Sequence, residues 1–105
     1  LRNGGFGVVS VASHLVGRPI RTMMEHQIAG REEQAQRAHE HLMPLFEALF
    51  PPTSPEPSPS SVKAMLDITG MGRDVLRLPL VSVPESYRNS LRELLTGYGL
   101  VENAA

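Results

Sequence analysis

The sequence predicts an α/β chain of incomplete kind: one buried strand, then a succession of helices, so that the piece by itself is mostly helical. Three observations predict it. The run Val8-Val9-Ser10-Val11-Ala12 is short, apolar on both faces, and preceded by Gly4, Gly5 and Gly7. Such runs belong to parallel sheets covered by helices on both sides. Downstream, apolar residues recur at helical spacing in several separate stretches. No second convincing strand is available to pair with the first, and the chain opens on Leu1 rather than Met. The expectation is a piece of a larger protein.

The glycines lead into the strand instead of following it. A dinucleotide fingerprint or P-loop sets its glycines after a strand and before a helix, so that the helix N-terminus faces phosphate. Neither spacing can be written over Gly4 to Gly7, and a turn into a strand is the simpler reading. After the strand, Gly17-Arg18-Pro19 opens a helix expected over 18–29, since proline suits a first helical turn. Ile20, Met23, Met24 and Ile28 give it an apolar face, and Gly30 supplies the stop.

A longer helix is expected from Glu32 to Phe50, with Ala35, Ala38, Leu42, Leu45, Phe46 and Leu49 in one stripe. Pro44 should kink it or delete one backbone bond. Pro51 to Ser61 (PPTSPEPSPSS) reads as an extended linker, partly polyproline. Pro52-Thr53-Ser54-Pro55 fits P-x-x-P in form, but lacks a flanking basic anchor for an SH3-type partner. A short helix follows, capped by Ser60 or Ser61 and closed by Gly70. Arg77-Leu78-Pro79-Leu80 is expected to be extended, because a residue before proline avoids the helical region. Pro84 then opens a last helix with Tyr87, Leu91, Leu94, Leu95 and Tyr98 on one face.

Composition excludes several functions. The 105 residues carry a net charge of -1, which gives no electrostatic argument for nucleic acid or an anionic membrane. With no Trp and few aromatics there is no base-stacking platform. No Cys means no thiolate metal site or cysteine nucleophile, and agrees with a cytoplasmic location. No apolar stretch reaches the length of a membrane span.

Candidate chemistry is sparse. His39 and His41 stand two apart on a helix and point to different faces, while His14 and His26 have no carboxylate at ligand spacing, so no metal is expected. Ser10 and His14 could suggest nucleophile and base, but Ser10 lies within the strand instead of at a strand-to-helix elbow. Lys63 is the sole lysine, and nothing beside it would activate an amine. Glu32 and Glu33 open a helix, and Asp74 and Glu85 are isolated, so no acid/base pair of carboxylates is evident.

Three segments, in this order, resemble the C-terminal part of the dihydrodipicolinate synthase (4-hydroxy-tetrahydrodipicolinate synthase) family. They are Gly4-Gly5-Phe6-Gly7-Val8-Val9-Ser10-Val11, Leu42-Met43-Pro44-Leu45-Phe46 with Leu49-Phe50, and Leu76-Arg77-Leu78-Pro79-Leu80. The resemblance implies the last strand and helix of a (β/α)8 TIM barrel at 1–30, followed by an all-α helical domain at 31–105. A barrel of that kind takes on the order of 250 residues, so most of it would lie upstream. The implied activity is a class I lyase that holds pyruvate as a Schiff base on a barrel lysine and condenses it with aspartate semialdehyde in lysine (diaminopimelate) biosynthesis. On this resemblance no catalytic residue, cofactor or metal lies in the chain, which alone is expected to be inactive, and the whole protein is a cytoplasmic homo-oligomer acting on small molecules. One position carries over: Val9, whose backbone carbonyl would lie beside pyruvate. It stands where the family has Ile, which keeps a β-branched residue and leaves a main-chain role intact. Lys63 matches a family lysine other than the Schiff-base one, and the Pro/Ser stretch before it is longer than the family's loop. Two alternatives accompany this reading. One is a sister pyruvate-dependent aldolase, of the N-acetylneuraminate lyase or keto-deoxy sugar-acid type. The other is a non-enzymatic helical module that uses Met23, Met24, Met43, Met65 and Met71 to bind a partner.

Overall fold

Glycines with positive φ decide where the helices stop. The computed structural model describes residues 1–51 and 58–102 and contains four helices: α1 (Ser13–Ile28), α2 (Glu32–Leu49), α3 (Ser60–Ile68) and α4 (Glu85–Gly97). Gly30, Gly70 and Gly99 follow α1, α3 and α4 at φ of 75°, 75° and 71°. At each, the glycine N–H turns back to Gln27, Asp67 or Thr96, and the next N–H reaches the carbonyl of His26, Leu66 or Leu95. This is the paired bonding of the Schellman motif, which satisfies the last carbonyls of the helix.

The chain forms two compact units, Leu1–Phe46 and Glu47–Ala105. In the first, Ala12, Leu15, Val16, Ile20, Ala35, Leu42 and Leu45 are buried. Helix α1 starts earlier than the spacing predicts, at Ser13, and breaks at Val16 (φ -125°, ψ 35°). The reason is Pro19, whose ring would clash with the carbonyl of Leu15 in an unbroken helix. The stretch after the break therefore begins with proline in its first turn, as expected. Helix α2 runs through Pro44 as one element. Its stripe is as predicted: Ala35, Leu42, Leu45 and Leu49 are buried, Ala38 and Phe46 half-buried.

In the second unit α3 packs against α4, and Val62, Ala64, Met65, Leu91 and Leu95 are buried. Between them, residues 71–84 carry no regular element. Arg77 to Leu80 is not extended throughout: the Leu80 N–H bonds the Arg77 carbonyl at 3.0 Å and closes a turn containing a cis Leu78–Pro79 bond. The serine caps are also corrected. Pro59 precedes α3 with no side-chain cap, and Ser60 and Ser61 lie within its buried first turn. The Ser60 hydroxyl is used elsewhere, donating to the Val81 carbonyl at 2.9 Å. The expected linker thus ends before Ser60, and Pro52-Thr53-Ser54-Pro55 lies outside the described residues.

The predicted strand at Val8–Ala12 does not form. Among the described residues there is no strand, and Val11 and Ala12 belong to the turn that enters α1. A strand exists only by pairing its N–H and C=O groups with another, and the described residues supply none. Nor is the run buried: Val9 is fully exposed, as is Phe6, and only Ala12 lies within the core.

Candidate functional site

The one residue singled out for a site, Val9, stands in the segment 5–10, which has no regular structure and an exposed Val9 side chain. Local bonds begin just after it. The Ser10 carbonyl accepts from the Ser13 N–H at 3.1 Å and the Ser13 hydroxyl at 2.6 Å. His14 Nδ1 lies 2.9 Å from the Val11 carbonyl, so that nitrogen donates there and is not turned to Ser10. Ser10 and His14 therefore do not assemble as nucleophile and base.

His26 and His39 also have local partners. His26 Nδ1 accepts from Arg31 Nε at 2.9 Å across the end of α1, and the His39 ring lies 6.2 Å from that of Phe46. Among the described residues no group of three metal-ligating side chains converges. A shallow concavity on α2 is lined by Arg2, Glu32, Glu33, Gln36, Arg37 and Glu40. Both of its arginines are paired, Arg2 with Glu32 at 3.6 Å and Arg37 with Glu33 at 2.5 Å, and Gln36 donates to Glu40 at 2.9 Å.

A cluster with no counterpart among the expected site residues ties α3, α4 and the segment between them. Arg88, in the first turns of α4, donates Nη2 to Asp67 on α3 and Nη1 to Asp74 Oδ2 at 3.2 Å. The Arg88 side chain is 18% exposed and that of Asp74 13%, so both charges are largely withdrawn from water. Asp74 Oδ1 is buried with no partner among the described residues. The signal that could have found the pair is Gly70 with Gly72. The first turns the chain back at φ 75°, and a side chain on the second would come within 3.4 Å of Leu66 Cβ. That close return is what carries Asp74 back toward Asp67. With its donors divided between two carboxylates, Arg88 acts as a clamp on the 71–84 segment.

Lys63 adds a second tie, donating Nζ to the Val75 carbonyl at 2.6 Å. The Lys63 amine is thus engaged as a donor to the backbone. Tyr87 donates its hydroxyl to the Ala48 carbonyl at 2.5 Å. Burial pushes its phenol above the ordinary value of 10.0, and the Ser61 hydroxyl beside it opposes that rise. No helix among the described residues is long and apolar enough to cross a membrane. The methionines differ in burial: Met65 is buried, Met23, Met24 and Met43 are half-buried, and Met71 is exposed.

Residues 1–97 match the model of the Dihydrodipicolinate synthetase family. A 4-hydroxy-tetrahydrodipicolinate synthase of Cyanothece sp. is 46% identical over 98 residues, covering 93% of this chain and 32% of that protein. The Heliobacterium modesticaldum enzyme of the same name is 42% identical over 97 residues, covering 92% of this chain and 31% of its own length. Among solved structures, the dihydrodipicolinate synthase of Thermotoga maritima matches 93% of this chain and 32% of its own with a TM-score of 0.85 at 36% identity. That of Aquifex aeolicus matches 96% and 33% with a TM-score of 0.84 at 32% identity. The chain thus spans about a third of the length of the relatives it matches.

Proposed function

Because the chain belongs to the Dihydrodipicolinate synthetase family, we propose that it is the C-terminal part of a Schiff-base lyase that condenses pyruvate with aspartate semialdehyde in lysine biosynthesis. The observation that carries this is the match over residues 1–97 together with relatives above 40% identity that bear the synthase name. In this reading 1–30 closes a (β/α)8 barrel and 31–105 forms its helical appendage. The exposed run at Val8–Val11 becomes the last barrel strand, paired on both edges by strands from upstream. Val9 then turns its main-chain carbonyl to the barrel mouth beside pyruvate, with no side-chain chemistry asked of it.

The amine that condenses with the ketone, forming C=N and releasing water, is supplied from outside residues 1–105. Support for this is the tie of the sole lysine, Lys63, to the Val75 carbonyl. The whole protein is cytoplasmic and homo-oligomeric, and needs no metal or cofactor for imine formation. The test is borohydride reduction of the whole protein in the presence of pyruvate, followed by peptide mass spectrometry. One adduct is expected, on a lysine other than Lys63. An adduct on Lys63, or none on any lysine, overturns the proposal.

A further inference from the structure

An exposed imidazole stands just beyond the run that the proposed barrel would use as its last strand. Active sites of (β/α)8 barrels lie at the C-terminal ends of the strands and are built by the loops that follow them. The loop after Val8–Val11 is the turn Ala12–Val16, and its own hydrogen bonds fold it back at once. The amides of Ser13, His14 and Leu15 donate to the carbonyls of Ser10, Val11 and Ala12 at 3.1, 3.2 and 3.0 Å. The break at Val16 then separates this turn from the rest of α1. One helical turn rises only about 5.4 Å, so His14 stays within a turn of the end of that run, on the side where the Val9 carbonyl is proposed to meet pyruvate.

Two polar side chains are exposed on the turn, Ser13 and His14, and they differ in what is left to them. The Ser13 hydroxyl donates its proton to the Ser10 carbonyl at 2.6 Å. The His14 ring places Nδ1 at 2.9 Å from the Val11 carbonyl. A carbonyl only accepts, so the proton is on Nδ1, and in the neutral ring Nε2 carries the lone pair. The same bond fixes the ring, which makes Nε2 a preset acceptor with no partner among the described residues. The first turn of α1 holds no acidic residue, so Nε2 is the strongest side-chain acceptor it offers.

We propose that His14 is a substrate-binding residue of the barrel mouth, accepting at Nε2 a hydrogen bond from the ammonium group of the incoming amino-acid aldehyde. The assignment rests on the proposed condensation of pyruvate with aspartate semialdehyde. Pyruvate offers Nε2 nothing, because its ketone and carboxylate oxygens only accept. Aspartate semialdehyde brings one charged donor, its α-ammonium, and a bond to a charged donor is stronger than one to a neutral hydroxyl. An acceptor at this place therefore selects the second substrate without touching the first, and favours an amino aldehyde over one that lacks the amine.

The test uses the whole protein, unsubstituted and as His14→Leu and His14→Gln, the second of which returns an acceptor oxygen close to the place of Nε2. For His14→Leu, KM for aspartate semialdehyde should rise about tenfold or more, as loss of a hydrogen bond to a charged group implies. KM for pyruvate and the yield of the borohydride-trapped adduct should stay unchanged, and His14→Gln should recover most of the loss. Succinate semialdehyde, the same aldehyde without the amine, should compete equally weakly against all three proteins. An unchanged KM for aspartate semialdehyde in His14→Leu overturns the proposal. So does a matching loss of succinate semialdehyde binding, which puts the contact at the carboxylate or aldehyde, and so does a parallel rise in both KM values, which marks a structural disturbance. Should His14→Leu not fold, His14→Phe, which keeps a flat ring without the acceptor, is read in the same way. Absence of an adduct in the unsubstituted protein sinks the underlying lyase; an adduct with unchanged KM values sinks the role of His14 alone.

Discussion

Two stretches of this chain, residues 5–11 and residues 71–84, are apolar, lack regular structure and present large side chains to solvent. They differ in what holds them. The later one receives donors on its carbonyls from Ser60 and Lys63 and on its carboxylate from Arg88. The earlier one receives no side-chain bond until Ser10. Side chains of a neighbouring helix pair can thus order an extended segment without a sheet, whereas a run of β-branched residues has only the backbone ladder to rely on.

The largest effect belongs to the helix pair beneath the 71–84 segment. Leu95 is 0% exposed at the α3–α4 packing, so Leu95→Ala removes three carbons from a filled space. The expected loss is about 2–5 kcal/mol of unfolding free energy, read from urea denaturation followed by circular dichroism. A loss under about 0.5 kcal/mol would mean that Leu95 is not part of a close-packed core. Next comes the clamp. Arg88→Met keeps the aliphatic stem but leaves Asp67 and Asp74 facing each other with no counter-charge. A hydrogen bond to a charged group is worth about 1.5–3 kcal/mol, and since Asp67 is 35% exposed the lower half of that range is expected. Adding Asp74→Asn should recover part of the loss, because the buried oxygen then no longer carries charge; no recovery would show that the carboxylate does not oppose folding.

Much of the fold can be read in the residues, and the exceptions have physical reasons. The stripe of α2, the face of α4 and the stops at Gly30, Gly70 and Gly99 follow from spacing and from glycine's freedom at positive φ. These are local properties, settled within a turn or two. The Arg88 clamp joins positions 67, 74 and 88; Gly70 and Gly72 announce that the chain turns back after α3, but no local pattern announces that Arg88 meets it there. Ser60 shows the same limit, since its sequence context suggests a helix cap and its actual partner is 21 residues away. The strand expected at Val8–Ala12 is absent for a different reason. Its pattern reports the burial such a run has inside a sheet, and the described residues hold no second strand to pair with it. The match to a family is legible in three short motifs, while the only site residue they offer, Val9, is proposed to act through a main-chain atom, which carries no side-chain signature.

A smaller effect concerns the tie between α4 and the end of α2. Tyr87→Phe deletes the bond to the Ala48 carbonyl and should cost about 1 kcal/mol at neutral pH. Its pH dependence is the sharper readout. Burial raises the phenol in the folded chain above 10.0, so the unfolded chain gives up its proton first as pH climbs. The contribution is therefore complete below about pH 10 and is lost as pH rises through the native value. Denaturation midpoints taken from about pH 8 to 11 should fall more steeply for the native sequence than for Tyr87→Phe. Parallel curves would mean that the phenol ionises as readily in the folded chain as in the unfolded one.

The smallest effect in this chain is the one that separates the two stretches most clearly. Val9 has 107% of its reference surface exposed, so Val9→Thr, an exchange of one methyl for a hydroxyl, touches nothing and should shift stability by less than about 0.5 kcal/mol. In the whole protein the proposed barrel strand buries that same position, and a hydroxyl placed there without a partner costs about 1–3 kcal/mol. Denaturation of the substituted whole protein and of the substituted 105-residue chain should therefore disagree. Agreement near zero would leave Val9 a surface residue in both and remove the strand from the barrel. Agreement at a large loss would mean that the chain buries the run unaided, and that residues 5–11 need no ladder after all.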